Sequence, residues 1–379
     1  MAEIIAVVVQ LVERYPCKVD VGSSILSDGT NFLTGGNMRK LASIRKIDEI
    51  RPIEGADAIE CAVVGGWTVV VKKGEMKPGD LAVYFEIDSF LPIRPEFEFL
   101  RKSCYKNVNG LGEGFRLRTI RLRGQLSQGL VLPLTNALFP TSRLVDLYEG
   151  EDVTAELGVI KYEPPVPAQL SGRARGNFPL FIRKTDQERC QNLKREIFMD
   201  NIDSEYEVTL KLDGSSITIY HNEGVVGVCS RNLDLQLDQE GNAFVDMAKK
   251  SGLLGLIPGM GNVAIQGELM GPGIQGNREG FPDTRMFIFD IFDIDTENYV
   301  SPEWRHTLLS GLLPEVRDVY MAPVIRTGRI ECEDVFGLLE QADGKSINNP
   351  VREGLVFKRM DGRFSFKAIS NKFLLQEKA

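Results

Sequence analysis

The segment Glu207-Val-Thr-Leu-Lys-Leu-Asp-Gly-Ser-Ser216 holds the residue types most suited to chemistry in this chain. Successive strand side chains point to opposite faces, so Val208, Leu210 and Leu212 form one face while Thr209, Lys211 and Asp213 share the other. A lysine and an aspartate on one polar face, beside a glycine that lets a ligand approach closely, suit a phosphate-handling site. A free lysine has a pKa near ~10.4, so a neutral, nucleophilic Lys211 costs about 4 kcal/mol at pH 7. A nearby cation lowers that cost, and magnesium is the natural candidate. Alone, Lys-Leu-Asp-Gly reads equally as a hairpin turn with an exposed Lys-Asp pair. Two histidines, His221 and His306, leave little scope for triads or histidine-bound metals. Six cysteines without a C-x-x-C pair indicate neither a zinc site nor a disulfide framework. Any reaction must run on Lys, Asp, Glu, Arg and a metal.

Lys211-Leu-Asp-Gly214 resembles the nucleotide-attachment motif of the superfamily of ATP-dependent DNA ligases, RNA ligases and mRNA capping enzymes, and the motifs that follow it there find ordered matches here. Ser230-Arg231 resembles the arginine motif that contacts the ribose or the end being joined. Ile265-Gln-Gly-Glu268 resembles the motif whose glutamate binds the ribose hydroxyls. Met286-Phe-Ile-Phe289-Asp-Ile resembles the aromatic motif that stacks on adenine, with Phe287 as the rival ring. Arg352-Glu353-Gly-Leu-Val-Phe-Lys358 resembles the glutamate motif linked to the catalytic metal, and Ser365-Phe-Lys367 the final lysine motif that touches the α-phosphate. The residue types fit these roles. An ionised Glu268 accepts from both hydroxyls, an aromatic face suits a purine, and Lys367 and Arg231 offset charge growing on phosphorus. Asp213 and Glu353 are suitable oxygen ligands for magnesium. Many relatives carry two lysines in the last motif; here Ser365 stands where the first would be, and Lys358 is the candidate to compensate.

These residues need elements to hold them. A chain of 379 residues with 43% hydrophobic and 26% charged residues fits a two-domain globular protein. Its net charge of −8 argues against a uniformly basic surface, though not against a local basic groove. The expected fold is α+β: an N-terminal OB-type β-barrel, then an α+β nucleotidyltransferase domain built on antiparallel sheets. We read residues 1–37 as an extension, with MAEIIAVVVQLVERYP as a strand and FLTGGNMRK as a loop. Residues 38–150 form the OB-like domain, 151–177 a Pro- and Gly-bearing linker with the boundary near 165, and 178–379 the catalytic domain. Within the barrel, one regular strand places Arg116 and Arg118 on one face and Arg121 and Arg123 on the other, and the strand YFEID carries Glu86 and Asp88. The arginines fit a nucleic-acid groove or an exposed edge equally. Helical spacing marks NAFVDMAKKSGLLGL, PEWRHTLLSGLL and ECEDVFGLLEQA. No signal peptide or membrane span is indicated, so a cytoplasmic or nuclear location is expected, with no protein partner evident.

The segment GADAIECAVVGGWTVVVKKGEMKPGDLAVYFEIDSFLP looks like OB-type tRNA-binding modules and the leading OB domain of some RNA ligases. Together with Phe178–Asn192 and the final SFKAISNKFLL, it makes the chain resemble the RNA ligase 5 family over about residues 38–379. That resemblance implies ATP and magnesium, or manganese in its place, as cofactors. It implies three steps: AMP joins Lys211, passes to a 5′-phosphate, and is released when a 3′-OH attacks. The partner would be nicked RNA or an RNA-containing duplex with RNA at the 3′-OH side. Arg189 and Lys184 become candidates for the pyrophosphate, and Glu86 and Asp88 for outer metal contacts. Two rivals are a DNA ligase or capping enzyme, which usually carry the OB module after the attachment domain, and a non-catalytic RNA-binding protein, against which the intact Lys211, Glu268, Glu353 and Lys367 count.

Overall fold

The computed structural model describes residues 39–108, 110–162, 174–238 and 240–376. The strand expected near the N-terminus, the FLTGG loop and the proline-rich middle of the linker lie outside them. The N-terminal unit is built from short antiparallel strands. Ala42–Lys46, Leu81–Phe85 and Leu130–Pro133 form one sheet, and Glu49–Pro52, Ile59–Val64 and Trp67–Lys72 another. Trp67–Lys72 buries Trp67, Val69 and Val71 by strict alternation, and a second core gathers Ile44, Phe85, Phe97 and Phe115.

Three expectations need correction here. Glu86 and Asp88 are not strand residues, because the strand ends at Phe85 and a turn follows in which Asp88 has φ +68°. The arginine run is not one strand, since Gly112–Arg116 ends before Thr119–Leu122, which pairs with Gln125–Gln128 in a hairpin turned by Arg123 and Gly124, both at positive φ. Finally, the linker is shorter than 151–177. Val153, Leu157 and Val159 pack in the N-terminal core and Ile160–Lys161 pairs with Ser89–Leu91. At the other end Ala174–Asn177 pairs with Leu233–Leu235. Apolar residues at both ends find cores to fill.

The C-terminal unit is two sheets with helices on their outer sides. The larger sheet runs through Ala174–Asn177, Leu233–Leu235, Val225–Cys229, Ser215–Asn222, Val263–Met270, Arg285–Asp293 and Asn298–Tyr299. Ile217, Ile219, Ile265, Ile288 and Ile291 bury against helices Ala243–Ser251 and Pro302–Leu312, both in segments marked by helical spacing. The smaller sheet orders Glu188–Arg189, Ser365–Ile369, Gly354–Arg359, Tyr206–Lys211 and Val324–Gly328. Its apolar face, with Val208, Leu210, Leu355, Phe357 and Phe366, packs on helix Val335–Ala342. Among the described residues no helix is long and apolar enough to cross a membrane.

The two units are fastened together. Trp67 Nε1 donates to Asn192 Oδ1 at 3.1 Å, and Asn192 Nδ2 donates to Glu86 Oε2 at 3.1 Å. Ile369 and Leu374 from the C-terminal end complete the core around Trp67. Gly66 sits where a Cβ would lie 2.6 Å from Val335 and 3.0 Å from the Gln191 backbone. Only glycine permits this approach.

Candidate active site

Lys211 sits at the end of Tyr206–Lys211, where cross-strand register sets its neighbours. Lys211 faces Gly354, Thr209 faces Val356 and then Lys367, and Glu207 faces Lys358 and then Ser365. One polar row therefore carries Glu207, Thr209, Lys211, Lys358 and Lys367. Lys211 Nζ donates to Glu353 Oε1 at 2.7 Å. Burial works against its charge, but Glu353, Glu268 and Asp213 outweigh burial and hold the ammonium above the usual lysine value. Glu268 reaches the same place from the larger sheet and accepts from the Gly214 amide at 2.9 Å. A side chain at Gly214 would lie 2.4 Å from the Leu269 carbonyl, so the contact needs glycine. Burial pushes the Glu268 carboxyl up to about 8, with Glu353 and Asp213 adding to it and Lys211 opposing it. Asp213 lies 3.1 Å from Arg278 Nε.

At one end of the row, the aromatic strand is irregular. Gly267 pairs with Ile288 and Gln266 with Asp290, so Phe289 is an extra residue opposite neither. Such a bulge re-aims a side chain. It also breaks the alternation that made Phe287 an equal rival: Phe287 is buried with Phe281 and Tyr320 stacked on it at 5.7 and 5.4 Å, while Phe289 is half-buried. The Phe289 carbonyl freed by the bulge accepts from Lys358 Nζ, which also lies 2.6 Å from Asp290 and 5.5 Å from the Phe289 ring. Lys358 thus stands directly opposite Ser365 in register, at the ring end of the cleft, engaged with Asp290 and the Phe289 carbonyl. Behind it, Arg305 bonds Glu207 and lies 3.5 Å from Asp290, and His306 bonds Glu207 as well.

At the other end cations gather. Lys367 lies 3.1 Å from Asp186, Arg231 3.6 Å from Asp186, and Lys184 donates to Asn232 at 3.0 Å. Burial, with repulsion from Arg189, Lys211 and Arg39, pushes Lys367 down to about 8 despite Asp186. Arg189 pairs with Lys367 in parallel register. It is 7% exposed, yet its Nε and Nη1 have no hydrogen-bond acceptor. Buried donors left so cost about 1–3 kcal/mol each, a sign that an anion completes the site. Glu86 is held by Arg39 and Asn192, and Asp88 lies 3.4 Å from Arg189 and 3.9 Å from Arg116. Asp213, Glu353, Glu86 and Asp88 do not form one ligand set, and no group of three such residues is placed to hold a metal among the described residues. The turn after Phe85 commits Glu86 and Asp88 to arginines at the domain junction. Near Lys211, by contrast, Glu353 at 2.7 Å and Asp213, itself 3.1 Å from Arg278, offer carboxylate oxygens of the kind a divalent cation takes. Asp186, Asn192, Glu207 and Arg305 were missed by sequence reasoning; no local signal marks them.

A family model described as an OB-fold domain matches residues 41–134, and one described as RNA ligase matches residues 204–369. Among solved structures, Naegleria gruberi RNA ligase with pyrophosphate is 46% identical at a TM-score of 0.81, covering 89% of this chain and 98% of that one. A lysine-to-alanine variant of that ligase with ATP and manganese is 45% identical, TM-score 0.81, covering 88% and 98%. A glutamate-to-alanine variant with AMP and manganese is 46% identical, TM-score 0.81, covering 89% and 98%. Further variants replace an aspartate, a second glutamate and a second lysine. No curated protein sequence matches this chain.

Proposed function

This chain belongs to the ATP-dependent RNA ligase family, and from that premise we propose that it carries AMP on Lys211 and seals nicks bearing RNA on the 3′-OH side. The observation that carries this reading is Lys211, 2.7 Å from Glu353 and on the same polar row as Lys367, with Glu268 beside it from the facing sheet. Counted along the Naegleria ligase, the intervals between five of its six substituted positions equal those between Lys211, Asp213, Glu268, Glu353 and Lys367, which supports the same assignment.

In the first step Lys211 Nζ attacks the α-phosphorus of ATP. A P–N bond forms, the bond to the bridging oxygen breaks, and pyrophosphate leaves with that electron pair. The α-phosphate oxygens lie toward Lys367, the ribose toward Glu268 and Arg231, and the purine on Phe289, with Phe287 already enclosed. Glu268 presents two oxygens that can accept hydrogen bonds from the ribose hydroxyls. Lys184 and the unsatisfied donors of Arg189 receive the departing pyrophosphate. Glu353 and Asp213 would hold magnesium or manganese, which when bound supplies positive charge that offsets the carboxylates keeping Lys211 protonated. In the second step a 5′-phosphate oxygen attacks the same phosphorus and Lys211 leaves. In the third the 3′-OH attacks the activated 5′-phosphorus and AMP leaves. ATP as co-substrate implies work inside the cell.

The titration of Lys367 gives a checkable consequence. Its folded value of about 8 lies below the usual lysine value, so the cation fades as pH rises through 8. A bound phosphate favours the charged form, hence ATP affinity falls as pH increases above that point. In Lys211→Ala protein, which cannot react, the dissociation constant for magnesium–ATP should rise by up to ~10-fold per pH unit above 8. Lys367→Arg added to that background should flatten the profile. A flat profile with Lys367 intact would remove Lys367 from the phosphate.

For the acceptor, residues 114–145 hold Arg116, Arg118, Arg121, Arg123 and Arg143 and no Asp or Glu, in a chain of net charge −8. Arg121 and Arg123 are exposed on the hairpin, next to the exposed Ile120 and Leu122. Arg116 lies beside Asp88 and Arg143 pairs with Glu151 and Glu156, so it is the hairpin with Arg121 and Arg123 that supports a duplex grip by the OB-fold unit. The test is a nick series with RNA or DNA on either side. Sealing is expected whenever the 3′-OH side is RNA, whatever lies on the 5′-phosphate side; efficient sealing only with DNA at the 3′-OH would overturn the RNA ligase assignment.

A further inference from the structure

Asp186 lies in the loop before Glu188–Arg189, within the Phe178–Asn192 segment. Its Oδ2 is 2.9 Å from Lys161 Nζ and 3.6 Å from Arg231 Nη2, and its Oδ1 is 3.1 Å from Lys367 Nζ. The three cations come from distant parts of the chain: the last described strand of the N-terminal unit, the turn after Val225–Cys229, and Ser365–Ile369. Beside them is a cavity of about 90 Å³ whose lining includes Lys161, Lys184, Arg231 and Gln266, with Asp186 its one acid. Burial disfavours the Asp186 charge, but Lys367, Lys161 and Arg231 overrule it and hold the carboxyl well below the usual range. Asp186 is thus held as a carboxylate shared by three cations, and a phosphate group, with more oxygens and more charge, can engage the same donors.

We propose that Asp186 is a resident anion standing in for a phosphate among Lys161, Arg231 and Lys367, and that a phosphate ligand takes these cations by displacing it. The inference rests on the reading of Lys367 as a phosphate contact. The ligand chemistry is a phosphate oxyanion, either the pyrophosphate end of the nucleotide or the 5′-phosphate of the nick. A carboxylate that swings back after each departure keeps the cations aligned and competes with rebinding, so it speeds release at the expense of affinity.

The test uses full-length Asp186→Asn and Asp186→Ala proteins. Dissociation constants are measured for inorganic pyrophosphate with magnesium, and for nicked duplexes carrying a 5′-phosphate or a 5′-hydroxyl. Removing the competing charge should tighten one phosphate probe about tenfold in both variants. Tightening for pyrophosphate identifies the nucleotide end, and tightening for the 5′-phosphate nick but not the 5′-hydroxyl nick identifies the RNA end. A merely structural ion pair would give unchanged or weaker binding of both probes, which would overturn the proposal. In the unmodified chain the displacing ligand should speed amide hydrogen exchange in the loop around Asp186, and protection there would count equally against it. Labelling of Lys211 by ATP is followed in parallel: if the unmodified chain takes no AMP, the ligase reading fails, whatever Asp186 does.

Discussion

Lys211→Ala protein is expected to take up no label from ATP radioactive in the α-phosphate, a loss of more than about 10⁴-fold, because the proposed mechanism forms its P–N bond through the atom that is gone. The same protein still seals a nick that already carries AMP on its 5′-phosphate, since the third step needs the 3′-OH and the phosphate contacts but not the lysine. The two readouts separate a nucleophile from a residue that merely binds nucleotide, whose loss would slow both. Glu353 would be left without its 2.7 Å partner, so ATP binding is measured alongside. Persistent labelling of the alanine protein would place the attachment elsewhere.

Replacing Arg305 by alanine is expected to have the largest effect on stability. The side chain is 1% exposed and joins Glu207 on the smaller sheet to Asp290 on the larger one. Removing one partner of a buried ionic group leaves uncompensated charge, at a cost of about 3–5 kcal/mol. The melting temperature should fall by on the order of 10 °C. His306 and Lys358 stay beside the two carboxylates but do not bridge them. Adding Glu207→Gln to the Arg305→Ala protein should recover part of the loss, because the two residues are directly coupled. An unchanged melting temperature in the single variant would show that the bridge does not hold the sheets together.

What could be read from the chain was what short-range periodicity encodes. Two-residue alternation placed Thr209 and Lys211 on one face, although the strand ends at Lys211 and Asp213 lies beyond it, and 3.6-residue spacing marked the segments of helices Ala243–Ser251, Pro302–Leu312 and Val335–Ala342. Ordered motif resemblance supplied Glu268, Glu353 and Lys367, which the sheets bring to the nucleophile or its row. Features set by partners far along the chain were not legible. Glu207 meets Arg305 and Asp186 meets Lys161 and Lys367 only through tertiary packing, so neither pairing leaves a local pattern. The turn that removed Glu86 and Asp88 from the strand depends on a residue at positive φ that carries a side chain, an uncommon choice. Lys358 shared the parity of a phosphate ligand, but the unpaired Phe289 carbonyl claimed it.

That unpaired residue separates two kinds of constraint. Because Ile288 already faces Gly267 and Asp290 already faces Gln266, the ladder closes on either side of Phe289 without it. The sheet's hydrophobic core, which takes Ile288 and Ile291, makes no call on the ring. A substitution of the Phe289 ring should therefore cost the sheet little, and whatever it changes would be felt in the cleft and not in the fold.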